Sequence, residues 1–350
     1  MPWTIPNRPI SLRLRAILGT LGLVLLGSCQ LLTPDTNAPP TATKKAAITV
    51  APPTSPWQNA RLIRSIAEAH RGPIRTIAID PKGKNLATGS ARAGKLWQLP
   101  EGEELVVIEE RNTFDALAFS PDGEAVASGN YVGQIALFDM HDGRELIDID
   151  AHDRIIFQVA FHPNNQYLAS SSLELDVKLW DLQTQKVVRT FSVPTATEVV
   201  AITFSPDGRY LAGGDFNGGL WLWDAETGQL LRGYAGHRNP VHALEIGPEG
   251  KFLFSGSLDK TIKVWDLQTG QLRVTLRGHS EAISDIAISA DGRTLASSSR
   301  DETIRLWDLR TNKTITTLEG TSFRQVAFTP DGALLIGAAE DGSLWFWEPG

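Results

Sequence analysis

Gly278–Asp308 reads GHSEAISDIAISADGRTLASSSRDETIRLWD, and its punctuation decides the fold. Ala282–Ser289 is apolar-rich with partial alternation, which suits a strand packed against other layers. Ala290-Asp291-Gly292 then supplies the residues that tolerate the backbone angles of a tight hairpin. Thr294–Ser299 reads as a second strand, Arg300-Asp301-Glu302 as a turn, and Thr303–Trp307 as a third strand. Asp308 opens another turn, and Thr314–Leu318 is a fourth strand leading into the next unit. Four short antiparallel strands in about 42 residues make one blade of a propeller.

Working outward, the aromatic that closes the third strand recurs as Trp97, Phe138, Trp180, Trp223, Trp265, Trp307 and Trp347. The steps between them are 41, 42, 43, 42, 42 and 40 residues, so seven units fill residues 59–350. The last unit stops after its third strand, at Trp347-Glu348-Pro349-Gly350. Residues 61–68, RLIRSIAE, stand before the first unit and read like a fourth strand. The expectation is an all-β, seven-bladed β-propeller of four-stranded antiparallel blades, closed by that N-terminal strand. Pairing the two chain ends removes sheet edges that would otherwise invite aggregation.

Gly-His, Ser-Ala-Asp-Gly, Ser-x-x-x-Asp and Trp-Asp in the quoted unit resemble the WD repeat. Gly236-His237, Ser255, Asp259 and Trp265-Asp266 match it too. The resemblance implies a hydrogen-bonded set of His, strand Ser/Thr, turn Asp and strand Trp in each well-formed blade. These are His237, Ser255, Asp259 and Trp265 in the fifth and His279, Ser297, Asp301 and Trp307 in the sixth. Such a set stabilises only when complete, because a buried polar group left unpaired costs about 1–3 kcal/mol. Other units depart from it. The second has Glu110 for His and Phe138 for Trp, and the third has Glu174 for Asp. The fourth has Thr195 for His, Gly213 for Ser and Asn217 for Asp. The first lacks its Asp, and the seventh keeps Asp341 and Trp347 but has no opening His. These blades are expected to be less rigid. The histidines recur once per blade around a ring, so no metal site is expected.

The resemblance also implies a docking face around the central channel. It is supplied by the residues three and five after the opening His and the residue before the turn Asp. By that register Tyr131, Ile155, Phe157, Leu173, Val200, Phe216, Pro240, His242 and Leu258 form an apolar and aromatic sector. Arg75, Arg300, Arg324 and Glu340 form a charged one. Aromatic residues and Arg are the usual energetic anchors of protein interfaces.

Residues 1–28 read as a signal peptide. Arg8, Arg13 and Arg15 precede the apolar run AILGTLGLVLLG at 16–27, which is shorter than the ~20 residues of a spanning helix. Leu26-Gly27-Ser28-Cys29 resembles the bacterial lipoprotein box, with Cys29 as the lipidated N-terminus. Residues 29–58, rich in Pro, Thr and Ala, form a flexible tether. This implies an exported protein anchored to a membrane through lipid, on the periplasmic or cell-surface side. Cys29 is the sole cysteine of 350 residues, so no internal disulfide forms.

Net charge is −7, which argues against a general nucleic-acid binder. There is no phosphate-cradling glycine loop, no GxSxG elbow and no cysteine nucleophile beyond the lipid position. No cofactor is implied. The reading is a non-catalytic scaffold for protein partners. The alternative is a propeller that binds or hydrolyses a small molecule or glycan at the channel mouth. Catalytic versions need convergent carboxylates or a metal site there, and the expected face offers only scattered candidates such as Asp115 and Glu340.

Overall fold

The computed structural model describes residues 55–108 and 113–350. The signal peptide, Cys29, the tether up to residue 54, and Glu110 lie outside the described residues. The described residues form seven four-stranded antiparallel sheets, in which strands adjacent in sequence pair within each blade except where the first strand joins the last. Blades are numbered here from the first complete unit. The seventh is built from Phe323–Phe328, Leu335–Ala339, Leu344–Glu348 and the N-terminal strand Arg61–Ile66. Leu62 pairs with Trp347 and Ile66 with Leu344, and Arg61 Nε donates to Glu348 Oε1 at 2.9 Å. The first and last strands thus close the ring by backbone hydrogen bonds.

The core is a set of wedges between neighbouring blades. Ala243, Phe254, Ile262, Val264 and Leu276 of blade 5 pack on Ile283, Ile286, Ile288, Leu295 and Trp307 of blade 6. Blades cover both faces of the second strand, so polar-out alternation is lost there. All six residues of Thr294–Ser299 are buried. Small residues dominate these strands because adjacent blades approach closely near the axis. A Cβ on Gly256 would sit 2.7 Å from Ile283 Cγ2. At Gly133 the constraint is stronger. Its φ is +94°, and a Cβ there would lie 2.0 Å from the His152 carbonyl oxygen of the next blade.

One boundary differs from the composition-based reading. Residues 56–58, assigned to the tether, begin a short 3₁₀ turn over Pro56–Asn59. Trp57 is 3% exposed, lies edge-on to Phe328 at 5.2 Å and packs with Ile304, Leu306, Leu318 and Trp347. A Pro/Ser-rich flank signals a linker, but a single Trp with an apolar wedge to fill overrides it.

Candidate functional site

The polar sets are hydrogen-bonded relays from the strand Trp to the turn acid. In blade 6, Trp307 Nε1 donates to Ser297 Oγ at 2.9 Å, and Ser297 Oγ lies 2.8 Å from His279 Nε2. His279 Nδ1 is 2.9 Å from Asp301 Oδ2, which also accepts from the Ser280 N–H. Burial, the largest effect, lowers the His279 pKa against the opposing Asp301 carboxylate. The network then assigns one tautomer: neutral His279 accepts at Nε2 from the Ser297 hydroxyl and donates from Nδ1 to Asp301. Blade 5 repeats the relay through Trp265, Ser255, His237 and Asp259 at 2.9, 2.7 and 2.9 Å.

Blade 3 completes the same set with a longer acid. Glu174 Oε2 is 2.7 Å from His152 Nδ1, its Oε1 accepts from the Asp153 N–H at 2.8 Å, and Ser170 joins His152 to Trp180. Burial would raise the Glu174 pKa, yet the donors His152, Asp153 N–H and Lys178 bring it down to about 2. In blade 1 the set is truncated. His70 reaches Thr88 at 2.7 Å, and Trp97 reaches Thr88 at 2.8 Å, with no acid beyond. Burial first, then nearby Lys95, pushes the His70 pKa down to about 4.

The other three blades substitute an aromatic pair for the polar set. A fully buried Phe packs beside the closing ring in each: Phe114 with Phe138 at 5.9 Å, Phe191 with Trp223 at 5.8 Å, and Phe323 with Trp347 at 5.7 Å. Gly213 and Gly337 replace the strand Ser where the Trp ring lies against the backbone. A Cβ there would meet Trp223 and Trp347 at 2.7 and 3.0 Å. Asn217 does not take the role of the missing acid in blade 4. Asp215, which sequence reasoning passed over, accepts from Trp221 Nε1 and from the N–H groups of Asn217 and Gly219, all at 2.8 Å. Its signal was an acid at the end of the second strand, ahead of Asn-Gly-Gly.

Blade 2 keeps its strand Ser without the partners. Ser128 is 1% exposed, and its hydroxyl finds no hydrogen bond among the described residues, because Phe138 has no N–H to give. Ser128→Ala should therefore raise stability by about 1 kcal/mol, read as a higher denaturant midpoint with unchanged slope. A loss of stability would show that the hydroxyl has a partner.

At the channel mouth, six inner strands carry a bulge at the same place, and the bulged residues are Arg75, Phe157, Val200, His242, Ser284 and Arg324. A bulge re-aims its side chain, and all six line one cavity of about 250 Å³. Leu258, Arg300 and Glu340 join from the turns between second and third strands. Phe157 and Phe216 meet edge to face at 5.8 Å, and Phe216 meets His242 at 6.1 Å. Of the remaining expected face residues, Tyr131 is 64% and Leu173 36% exposed, while Ile155, Phe216 and Pro240 are half-buried; none of these five lines the cavity, and Phe216 adjoins it through Phe157 and His242. Val200 is 6% exposed in the cavity wall, whereas His242 on the like-placed bulge is exposed. Arg75 is held by Asp115, and Arg324 lies 3.5 Å from Glu340.

Below the mouth, inward side chains stitch the blades together. Thr76 accepts from Leu117 N–H at 3.1 Å, Gln158 from Ile202 N–H at 2.9 Å and Asp285 from Val326 N–H at 3.1 Å, each in the next blade. Glu245 accepts from Ile288 N–H at 2.8 Å. Sequence reasoning missed these residues; for Thr76, Gln158 and Asp285 the available signal was a polar side chain beside the bulge of an otherwise apolar inner strand. Among the described residues, no group of three or more His, Cys, Asp or Glu side chains could hold a metal ion.

A family model described as "WD domain, G-beta repeat" matches residues 61–98, 143–181, 185–224, 228–266, 270–308 and 312–348, more than half of the chain. The unmatched stretch 99–142 holds the first three strands of blade 2, where Phe138 closes the unit. The chain is similar to "Small ribosomal subunit protein RACK1y" of Oryza sativa, 32% identical over 126 residues, 35% of this chain and 37% of that one. It is also similar to "Small ribosomal subunit protein RACK1" of Medicago sativa, 37% identical over 25% of this chain and 26% of that one. "Periodic tryptophan protein 2" of Arabidopsis thaliana is 27% identical over 38% of this chain and 15% of its own length. The chain thus matches well under half the length of these curated relatives.

Proposed function

The chain belongs to the WD-repeat family, and from that premise we propose that it is a non-catalytic scaffold that captures a protein partner at its channel mouth. WD-repeat propellers typically serve as protein-interaction platforms. The observation that carries the reading is the edge-to-face run Phe157–Phe216–His242 at the mouth, beside Leu258 and flanked by exposed Tyr131 and Leu173. Rigid aromatic surface around a shallow cavity is what a hot spot requires. Of the three carboxyls that line the cavity, Asp115 and Glu340 are each engaged by an arginine and Asp285 accepts from the Val326 N–H.

The scaffold works outside the cytoplasm, tethered through lipid on Cys29. The basic, apolar and small-residue order of residues 1–29 supports this. The test is a mild-detergent affinity purification of the full chain from its own cells, with mass spectrometry of bait and captured protein. The expected result is a lipidated N-terminus at Cys29 and a stoichiometric partner. Phe216→Asp and Leu258→Asp should each abolish capture while leaving thermal unfolding near that of the parent. Unchanged capture by both variants overturns the docking site; an unlipidated bait overturns the tether.

A further inference from the structure

The charged side of the mouth is unevenly matched. Arg75, Arg300 and Arg324 line it against Asp115 and Glu340. Asp115 engages Arg75, and Glu340 reaches Arg324 at 3.5 Å with both side chains about half exposed. Arg300 is exposed and, among the described residues, its guanidinium makes no hydrogen bond or ion pair. It lies in the same cavity wall as His242 and Leu258. Asp285, the remaining carboxyl of the lining, is a weakened counter-charge, because burial pushes its pKa up to about 7. Desolvation at the channel wall, and then the charges of Arg300 and Arg324, lower the His242 pKa although the ring stays exposed to the lumen. The mouth therefore disfavours a further cation and leaves one guanidinium fork open beside an aromatic shelf.

Resting on the docking reading above, we propose that the partner segment is acidic: it places an Asp or Glu carboxylate on Arg300, with Arg324 alongside, and an adjoining apolar side chain against Phe157, Phe216 and Leu258. Arg binds carboxylates through two parallel N–H···O bonds, so its planar fork is fitted to this group in a way a lysine is not. The cavity of about 250 Å³ admits a side chain rather than a folded loop.

The test pans a random twelve-residue peptide display library on the intact propeller. Enriched peptides should share an acid next to an aromatic or aliphatic residue. Fluorescence anisotropy of an enriched peptide should show roughly tenfold weaker binding or worse for Arg300→Gln, for Arg300→Lys, and for the peptide with its acid changed to the amide. Raising the salt concentration should weaken the parent complex. Enriched peptides without a shared acid, or equal affinity for the parent and Arg300→Gln, overturn this inference and leave the scaffold reading standing if Phe216→Asp still loses capture. No enrichment at all overturns the linear acidic segment, and the purification above then decides the scaffold reading alone.

Discussion

Asp301→Ala is expected to lower propeller stability by about 3 kcal/mol, because removing one carboxylate leaves three donors without an acceptor and a buried unpaired polar group costs about 1–3 kcal/mol. Asp301 accepts from His279 Nδ1 at 2.9 Å, from the Ser280 N–H at 2.9 Å and from the Thr303 hydroxyl at 2.7 Å. Burial alone would raise its pKa, yet these donors bring it below the ordinary carboxylate range. Its side chain is 7% exposed and that of His279 is 1% exposed, so water cannot replace what is lost. At the scale of a domain this size the change should read as a melting temperature about 5 °C lower. Asp301→Asn, which keeps an acceptor oxygen of the same reach, should lose less than half as much. Equal and small losses for both variants would mean that the relay contributes packing alone. The matching change in blade 3, Glu174→Ala, should behave like Asp301→Ala, because Glu174 closes an equivalent set.

That equivalence marks where sequence reasoning stopped. The period of the closing aromatics counted the blades, because each aromatic fills a wedge between neighbours and cannot move along the strand without leaving a void. The Gly-His, Ser, Asp and Trp spacing likewise placed both complete relays. Blade 3 reads as a departure because a Glu stands in the Asp position, although one more methylene still reaches the same imidazole. Blades 2, 4 and 7 read as incomplete, yet Phe114, Phe191 and Phe323 replace the polar relay with a buried ring. Those phenylalanines lie outside the repeat's polar register, so no motif announces them. The mouth was legible in part. The register found the bulge positions, but how far a bulged side chain is covered depends on its neighbours, as buried Val200 and exposed His242 show. Of the inner-wall carboxyls, Asp285 had the signal of its place beside a bulge, whereas Glu245, three residues past one, carried none.

Those carboxyls give the second expectation: propeller stability should fall as the pH rises from about 5 to about 8.5. Glu245 and Asp285 stand on the inner strands of adjacent blades, enclosed by protein except for the channel lumen. Burial, and then the neighbouring Asp285, pushes the Glu245 pKa up to about 8, against the pull of the Ile288 N–H. Burial pushes Asp285 up to about 7, against the Val326 and Ile286 N–H groups. A folded-state pKa above the unfolded one means that the fold holds a proton the unfolded chain releases. The stabilisation from that proton is fully present below the unfolded values near 4, and is lost as the pH passes the folded values near 7 and 8. At about 1.4 kcal/mol per pKa unit, the loss amounts to several kcal/mol for the pair. Below about pH 4 the trend reverses, because Asp301 and Glu174 have depressed pKa values and their relays fail once protonated. The discriminating variant is Glu245→Gln with Asp285→Asn, which keeps the acceptors for Ile288 and Val326 and removes the titrating protons. Its melting temperature should match the parent near pH 4.5 and exceed it increasingly up to pH 8.5. Parallel curves would mean that the inner wall carries its two acids ionised throughout, with the charge neutralised from the lumen.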